Sequence, residues 1–139
     1  MRYLLLAALS GLMLGCSSAP PPATPMTFAT WNTKENDQKQ ISLEGYVRLP
    51  AAALVSDTML LELHEKPEGK SSSVDFSTRI GSGKNQVEKP PKDYSDKDLK
   101  LHANDGSLVG PQDKVRISGK VVYSPSTSIL FEPIDVQKL

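Results

Sequence analysis

Cysteine is almost absent. Among 139 residues only Cys16 carries a thiol, so no disulfide forms within one chain. In an oxidising compartment such a thiol has no internal partner. Histidine is nearly as scarce, His64 and His102 being the only two. Nucleophilic catalysis on a histidine base needs one of them beside a nucleophile, and neither lies in a nucleophile motif. Both read as surface residues, His64 on the outward side of a strand beside Glu62, and His102 in a loop within reach of Asp98 or Asp105. No catalytic residue is assigned, and the chain reads as non-enzymatic. Aromatics make up 6% of the residues, and basic and acidic side chains balance at 16 each. That balance lacks the basic stripe and the stacking platform of a nucleic-acid binder.

Metal-ligand spacing is lacking as well. Asp93, Asp96 and Asp98 lie close together but are interleaved with Lys92, Lys97 and Lys100, and no glutamate closes a calcium-type loop. Gly81, Gly83 and Lys84 loosely suggest a phosphate loop, but Pro90 and Pro91 exclude the helix that must follow one. No metal and no dissociable cofactor are expected.

What is present begins at the amino terminus. Arg2 precedes an apolar stretch from Tyr3 to Leu14, and Gly15-Cys16-Ser17-Ser18 follows. A single positive charge, a short hydrophobic run and a small residue before a cut describe a secretory signal. The run is too short to cross a bilayer, which takes about 20 apolar residues. Leu12-Met13-Leu14-Gly15-Cys16 resembles the bacterial lipobox, with Met13 where leucine is usual. The resemblance implies cleavage before Cys16, a diacylglyceryl thioether and an N-acyl chain on that residue, and anchoring in a lipid bilayer. Ser17 and Ser18, in place of the aspartate that retains such proteins at the inner membrane, imply the outer membrane, facing the periplasm.

Residues 1–15 are thus expected to be a signal peptide. Residues 16–40 are expected to form a lipidated, Pro-rich tether and arm. Proline through residues 17–27 favours an extended tether of roughly 30 Å, at about 3.1 Å per residue. Phe28 and Trp31, the only tryptophan, are expected to lie against the domain rather than to clip a ligand.

Residues 41–139 carry the folded domain. Apolar and polar residues alternate over 41–49, 58–65, 74–80, 114–123 and 129–138, the period of half-buried strands. Ile41, Leu43, Val47 and Leu49 share one face in the first, and Val115, Ile117, Val121 and Tyr123 in the fourth. In the fifth strand Pro133 is expected to shift the facing, placing Ile129 and Phe131 inward before it and Ile134 and Val136 after it. Gly45 and Gly119 fall mid-strand on inward positions, which the tight coiling of a small closed barrel explains. The fold class is therefore all-β, a five-stranded OB-like Greek-key barrel with an insertion at 81–110. A small open β-sandwich is the alternative. Residues 41–47 (ISLEGYV), 109–121 (VGPQDKVRISGKV) and 129–139 (ILFEPIDVQKL) resemble the bacterial periplasmic OB-fold family. The resemblance supports the fold and brings no catalytic residue with it.

If the barrel binds, outward side chains carry the contact: Tyr46 and Arg48 of the first strand, His64 of the second, Arg79 of the third and Arg116 of the fourth. Arginine and tyrosine suit protein hot spots, and they suit glycan stacking equally. The function expected is a non-enzymatic binding or envelope-assembly module with an envelope protein as partner. Peptidoglycan binding is one alternative. Another is an inhibitor or immunity-type protein that blocks a lysozyme-like or toxin enzyme by inserting the 81–110 loop.

Overall fold

The computed structural model describes residues 21–51 and 56–139. The expected signal segment and Cys16 lie outside them. The strands are β1 Thr24–Pro25, β2 Gln40–Arg48, β3 Thr58–His64, β4 Ser73–Ile80, β5 Gln86–Val87, β6 Leu101–His102, β7 Leu108–Val109, β8 Val115–Val122 and β9 Ile129–Lys138. Two single-turn 3-10 helices, Lys34–Asn36 and Asp96–Asp98, complete the described elements. No helix among the described residues is long and apolar enough to cross a membrane.

Five long strands close a barrel. β2 pairs antiparallel with β3 and β8, β3 with β4, and β8 with β9. A parallel pairing of β4 with β9, Asp75 opposite Ile129 and Phe76 opposite Leu130, completes the ring. The architecture is the OB-like barrel, not the two open sheets of a sandwich. Alternation fills its interior: Ile41, Leu43 and Val47 of β2, Leu61 and Leu63 of β3, Phe76 of β4 and Ile117 of β8 are all buried. The two interior glycines let the strands approach closely. A Cβ on Gly45 would lie 2.3 Å from the backbone carbonyl oxygen of His64, and one on Gly119 would lie 2.7 Å from Cδ1 of Ile134 and 3.0 Å from Cβ of Leu130.

The fifth strand corrects an expectation. Leu130, not Ile129 or Phe131, points into the core, and Phe131 is 40% exposed. The reason is the register: Ser118 pairs with Asp135 and Lys120 with Phe131, so two steps along β8 match four along β9. The bulge around Pro133 thus adds an even number of residues. Facing alternates with every residue, so an even insertion leaves Leu130 and Val136 on the same side. A single-residue shift would have put Phe131 inside.

The amino-terminal arm is docked rather than extended through residue 27. β1 pairs parallel with β2, Thr24 opposite Ile41 and Pro25 opposite Ser42, and the Met26 N–H donates to the Ser42 carbonyl at 2.9 Å. Proline is tolerated there because the arm is an edge that needs few donors. Trp31 is buried in the core, and the Asn36 side chain, itself buried, donates to the Trp31 carbonyl. Ser128 in the β8–β9 turn donates to the Asn32 side chain, which ties the arm to that turn.

The 81–110 insertion is part of the core. β5 continues the edge of β4 that β9 leaves at its bulge, Arg79 opposite Gln86 and Ile80 opposite Val87. β6 and β7 form a hairpin, Leu101 opposite Val109 and His102 opposite Leu108. Val87, Leu99, Leu101, Ala103 and Val109 are buried with the barrel's own residues. The turn at 81–84 is fastened: the Gln86 side chain accepts from the Gly83 N–H, and the Asn85 side chain accepts from the Val136 N–H at 2.8 Å. The Tyr94 hydroxyl donates to the Pro50 carbonyl, linking the insertion to the β2–β3 connection.

Candidate functional site

β3, β4 and β9 lie side by side, and their outward residues form rows across the sheet. Leu60 stands opposite Ser77, and Glu62 opposite Asp75. On the other side of β4, Asp75 stands opposite Ile129, and continuing that register by one residue sets Ser77 beside Phe131. One row therefore reads Leu60–Ser77–Phe131, and the next reads Glu62–Asp75–Ile129. Leu60 and Phe131 are each 40% exposed, whereas Ser77 between them is buried. Two apolar ridges thus flank a small residue, and the floor drops into a groove of about 490 Å³ that Pro50 and Thr58 extend toward the β2–β3 connection.

The second row is acidic. Like charges directly opposite each other on adjacent strands are unfavourable. Glu62 accepts from His64 Nε2 at 2.9 Å, while Asp75 has no hydrogen-bond or ion-pair partner among the described residues. Burial, and then the neighbouring Glu62 carboxylate, push the Asp75 carboxyl above its ordinary range, with His64 opposing. An unpaired carboxylate therefore sits beside the apolar ridges.

The five sequence-predicted residues fall in three places. Tyr46 and His64 are direct cross-strand partners, and Arg48 stands opposite Glu62. These three share one edge of the acidic row. His64, read as solvated or paired across strands, stands opposite Tyr46 with its side chain only 12% exposed, and its buried Nδ1 lacks a hydrogen-bond partner among the described residues. Arg48 does not reach Glu62 either, since its guanidinium donates to the carbonyls of Gly69 and Lys66 in the β3–β4 turn. Arg79 lies at the far end of β4 in a two-pronged pair with Glu132 (2.6 and 3.2 Å), which holds the Glu132 carboxyl below its usual range. Arg116 lies across β2, paired with Glu44 at 2.6 Å and with Gln137. The three arginines are thus committed to neighbours within the fold. His102, expected near Asp98 or Asp105, instead pairs with Glu88 at 3.0 Å.

Sequence reasoning missed Phe131, Ser77, Ile129, Asp75 and the exposed role of Leu60. Leu60 carried a signal, being an apolar residue on the outward side of an alternating strand. Phe131 carried none once Pro133 was read as an odd shift. A larger recess of about 740 Å³ lies between the arm and β2 and β8, lined among others by Met26, Phe28, Glu44 and Arg116. Its Arg116 and Glu44 satisfy each other, so it offers less for a ligand to complete. Among the described residues no group of three or more His, Cys, Asp or Glu side chains is placed to hold a metal ion.

Comparison of the chain with family models, curated proteins and solved structures finds no match.

Proposed function

We propose that the protein is a non-enzymatic docking module, lipid-anchored through Cys16 at the periplasmic face of the outer membrane, that engages an envelope protein through its β3–β4–β9 face. The exposed Leu60 and Phe131 ridges over buried Ser77 carry this reading. Large apolar side chains around a small-floored groove suit an anchor side chain of a partner, the usual centre of a protein hot spot. Nucleic acid is disfavoured, because Glu62 and Asp75 repel phosphate on the same face. The docked arm supports a short reach: with Thr24 fastened to β2, residues 17–23 are seven in number and reach about 22 Å in a polyproline conformation at about 3.1 Å per residue. The barrel is then held close to the lipid surface.

One experiment tests both halves. Envelopes from cells producing wild type, Leu60→Glu with Phe131→Glu, and Cys16→Ser are fractionated, labelled with a fatty-acid analogue and used for affinity capture. Wild type and the double variant are expected in the membrane fraction carrying label, and Cys16→Ser in the soluble fraction without it. A specific envelope protein is expected with wild type and reduced at least about tenfold with the double variant, the loss of a hot spot worth about 1.4 kcal/mol or more. Membrane-bound, unlabelled wild type contradicts the anchor. Equal recovery from wild type and the double variant contradicts the docking face.

A further inference from the structure

Resting on that reading of the face, we infer that the groove takes an extended segment of the partner in which an apolar side chain and a lysine or arginine stand two residues apart. The apolar side chain fills the slot between Leu60 and Phe131 above Ser77, and the basic one meets Asp75 and Glu62.

The two rows are separated by two residues along β3 and β4, from Leu60 to Glu62 and from Ser77 to Asp75. That spacing is about 7 Å, which is also the distance between same-side residues i and i+2 of an extended chain. A segment lying along the strands therefore places alternate side chains on successive rows. The first row offers an apolar slot. The second offers two carboxylates, with Asp75 lacking any partner among the described residues and Glu62 holding only His64. The other charged groups near the groove do not compensate it. Arg48 is turned to the Lys66 and Gly69 carbonyls, Arg79 is held by Glu132 at the opposite end, and Lys120, opposite Phe131 on β8, forms no ion pair with Asp75 or Glu62. A partner cation is thus the charge the acidic row lacks, and a partner carboxylate there would meet two like charges.

Isothermal titration of the mature lipidated protein in a zwitterionic detergent tests this with three peptides. They are acetyl-Gly-Phe-Thr-Lys-Gly-amide and its matched forms with glutamine or glutamate in place of lysine. The lysine peptide is expected to bind about fivefold or more tightly than the glutamine peptide, as one or two half-exposed ion pairs allow. The glutamate peptide should bind most weakly, and the lysine advantage should vanish in Glu62→Gln with Asp75→Asn, which keeps the shape of both side chains. Equal binding of the lysine and glutamine peptides, or no binding of the lysine peptide at millimolar concentration, overturns the inference. If the Leu60→Glu, Phe131→Glu variant still loses envelope capture in either case, the docking face itself stands. If capture is also unchanged, both fall.

Discussion

Phe76→Ala is expected to lose about 3–5 kcal/mol of folding free energy. Phe76 is fully buried. It sits where the ring closes, opposite Leu61 of β3 on one side and Leu130 of β9 on the other, and both of those neighbours are buried as well. Removing its ring loses the transfer free energy of the side chain and leaves a cavity that a closed barrel collapses into only with difficulty. A small domain holds about 5–15 kcal/mol in all, so the loss takes a large share of it. At roughly 4–8 °C per kcal/mol, the melting temperature should fall by about 12 °C or more. Thermal and urea unfolding of the mature protein followed by circular dichroism measure this, and a loss below about 1 kcal/mol would mean that Phe76 is not at the centre of the core.

Gly45→Ala is expected to destabilise by about 2–3 kcal/mol, against the ordinary trend. Glycine in a strand usually weakens it, so alanine should help. Here the added Cβ would stand 2.3 Å from the His64 carbonyl oxygen and 3.1 Å from its carbonyl carbon. Those are backbone atoms, which no rotamer change removes. Relief requires β2 and β3 to separate near the Tyr46–His64 pair, the edge of the acidic row. Gly119→Ala is the internal comparison, because its nearest contact at 2.7 Å is the tip of the Ile134 side chain. That tip can yield by turning, so the cost should be smaller. Chemical denaturation of both variants in parallel gives the difference, and an unchanged or higher stability of Gly45→Ala would contradict the close approach.

The barrel was legible because each long strand buries one face and alternation states that burial directly. Ile41, Leu43 and Val47 or Val115, Ile117 and Val121 need no further context. Gly45 and Gly119 were informative for the same reason, since an inward glycine in a strong strand calls for a close approach. The 81–110 insertion was legible only in part. Asn104–Gly106 with its flanking leucines and valine suits the β6–β7 hairpin, but two-residue strands are too short for a period. Burial of Val87 and Ala103 depends on packing that only the folded chain supplies. The arm followed the same division. Burial of the bulky Trp31 was foreseeable, whereas Thr24–Pro25 pairing was not, because a proline-rich stretch favours extended structure with or without a strand beside it.

The candidate site was the least legible part, and one residue accounts for most of that. An even bulge and an odd one leave the same proline in the sequence but opposite faces for Phe131. With Phe131 assigned to the core, Leu60 looks like a lone exposed leucine, which needs no explanation. With Phe131 outside, the two form the walls of a groove and Asp75 becomes its charged end. The arginines drew attention by residue type, yet Arg48, Arg79 and Arg116 each hold the fold together through a carbonyl or carboxylate beside them. Residue type alone does not distinguish a free guanidinium from a committed one.

The docking claim meets its most direct test in living cells, with a photo-crosslinking phenylalanine analogue placed at residue 60 and, for comparison, at residue 34, which is exposed on the arm and does not line the groove. The account predicts a discrete adduct with one envelope protein from position 60, suppressed by Phe131→Glu and absent from position 34. Adducts from position 34 with none from position 60 would contradict it.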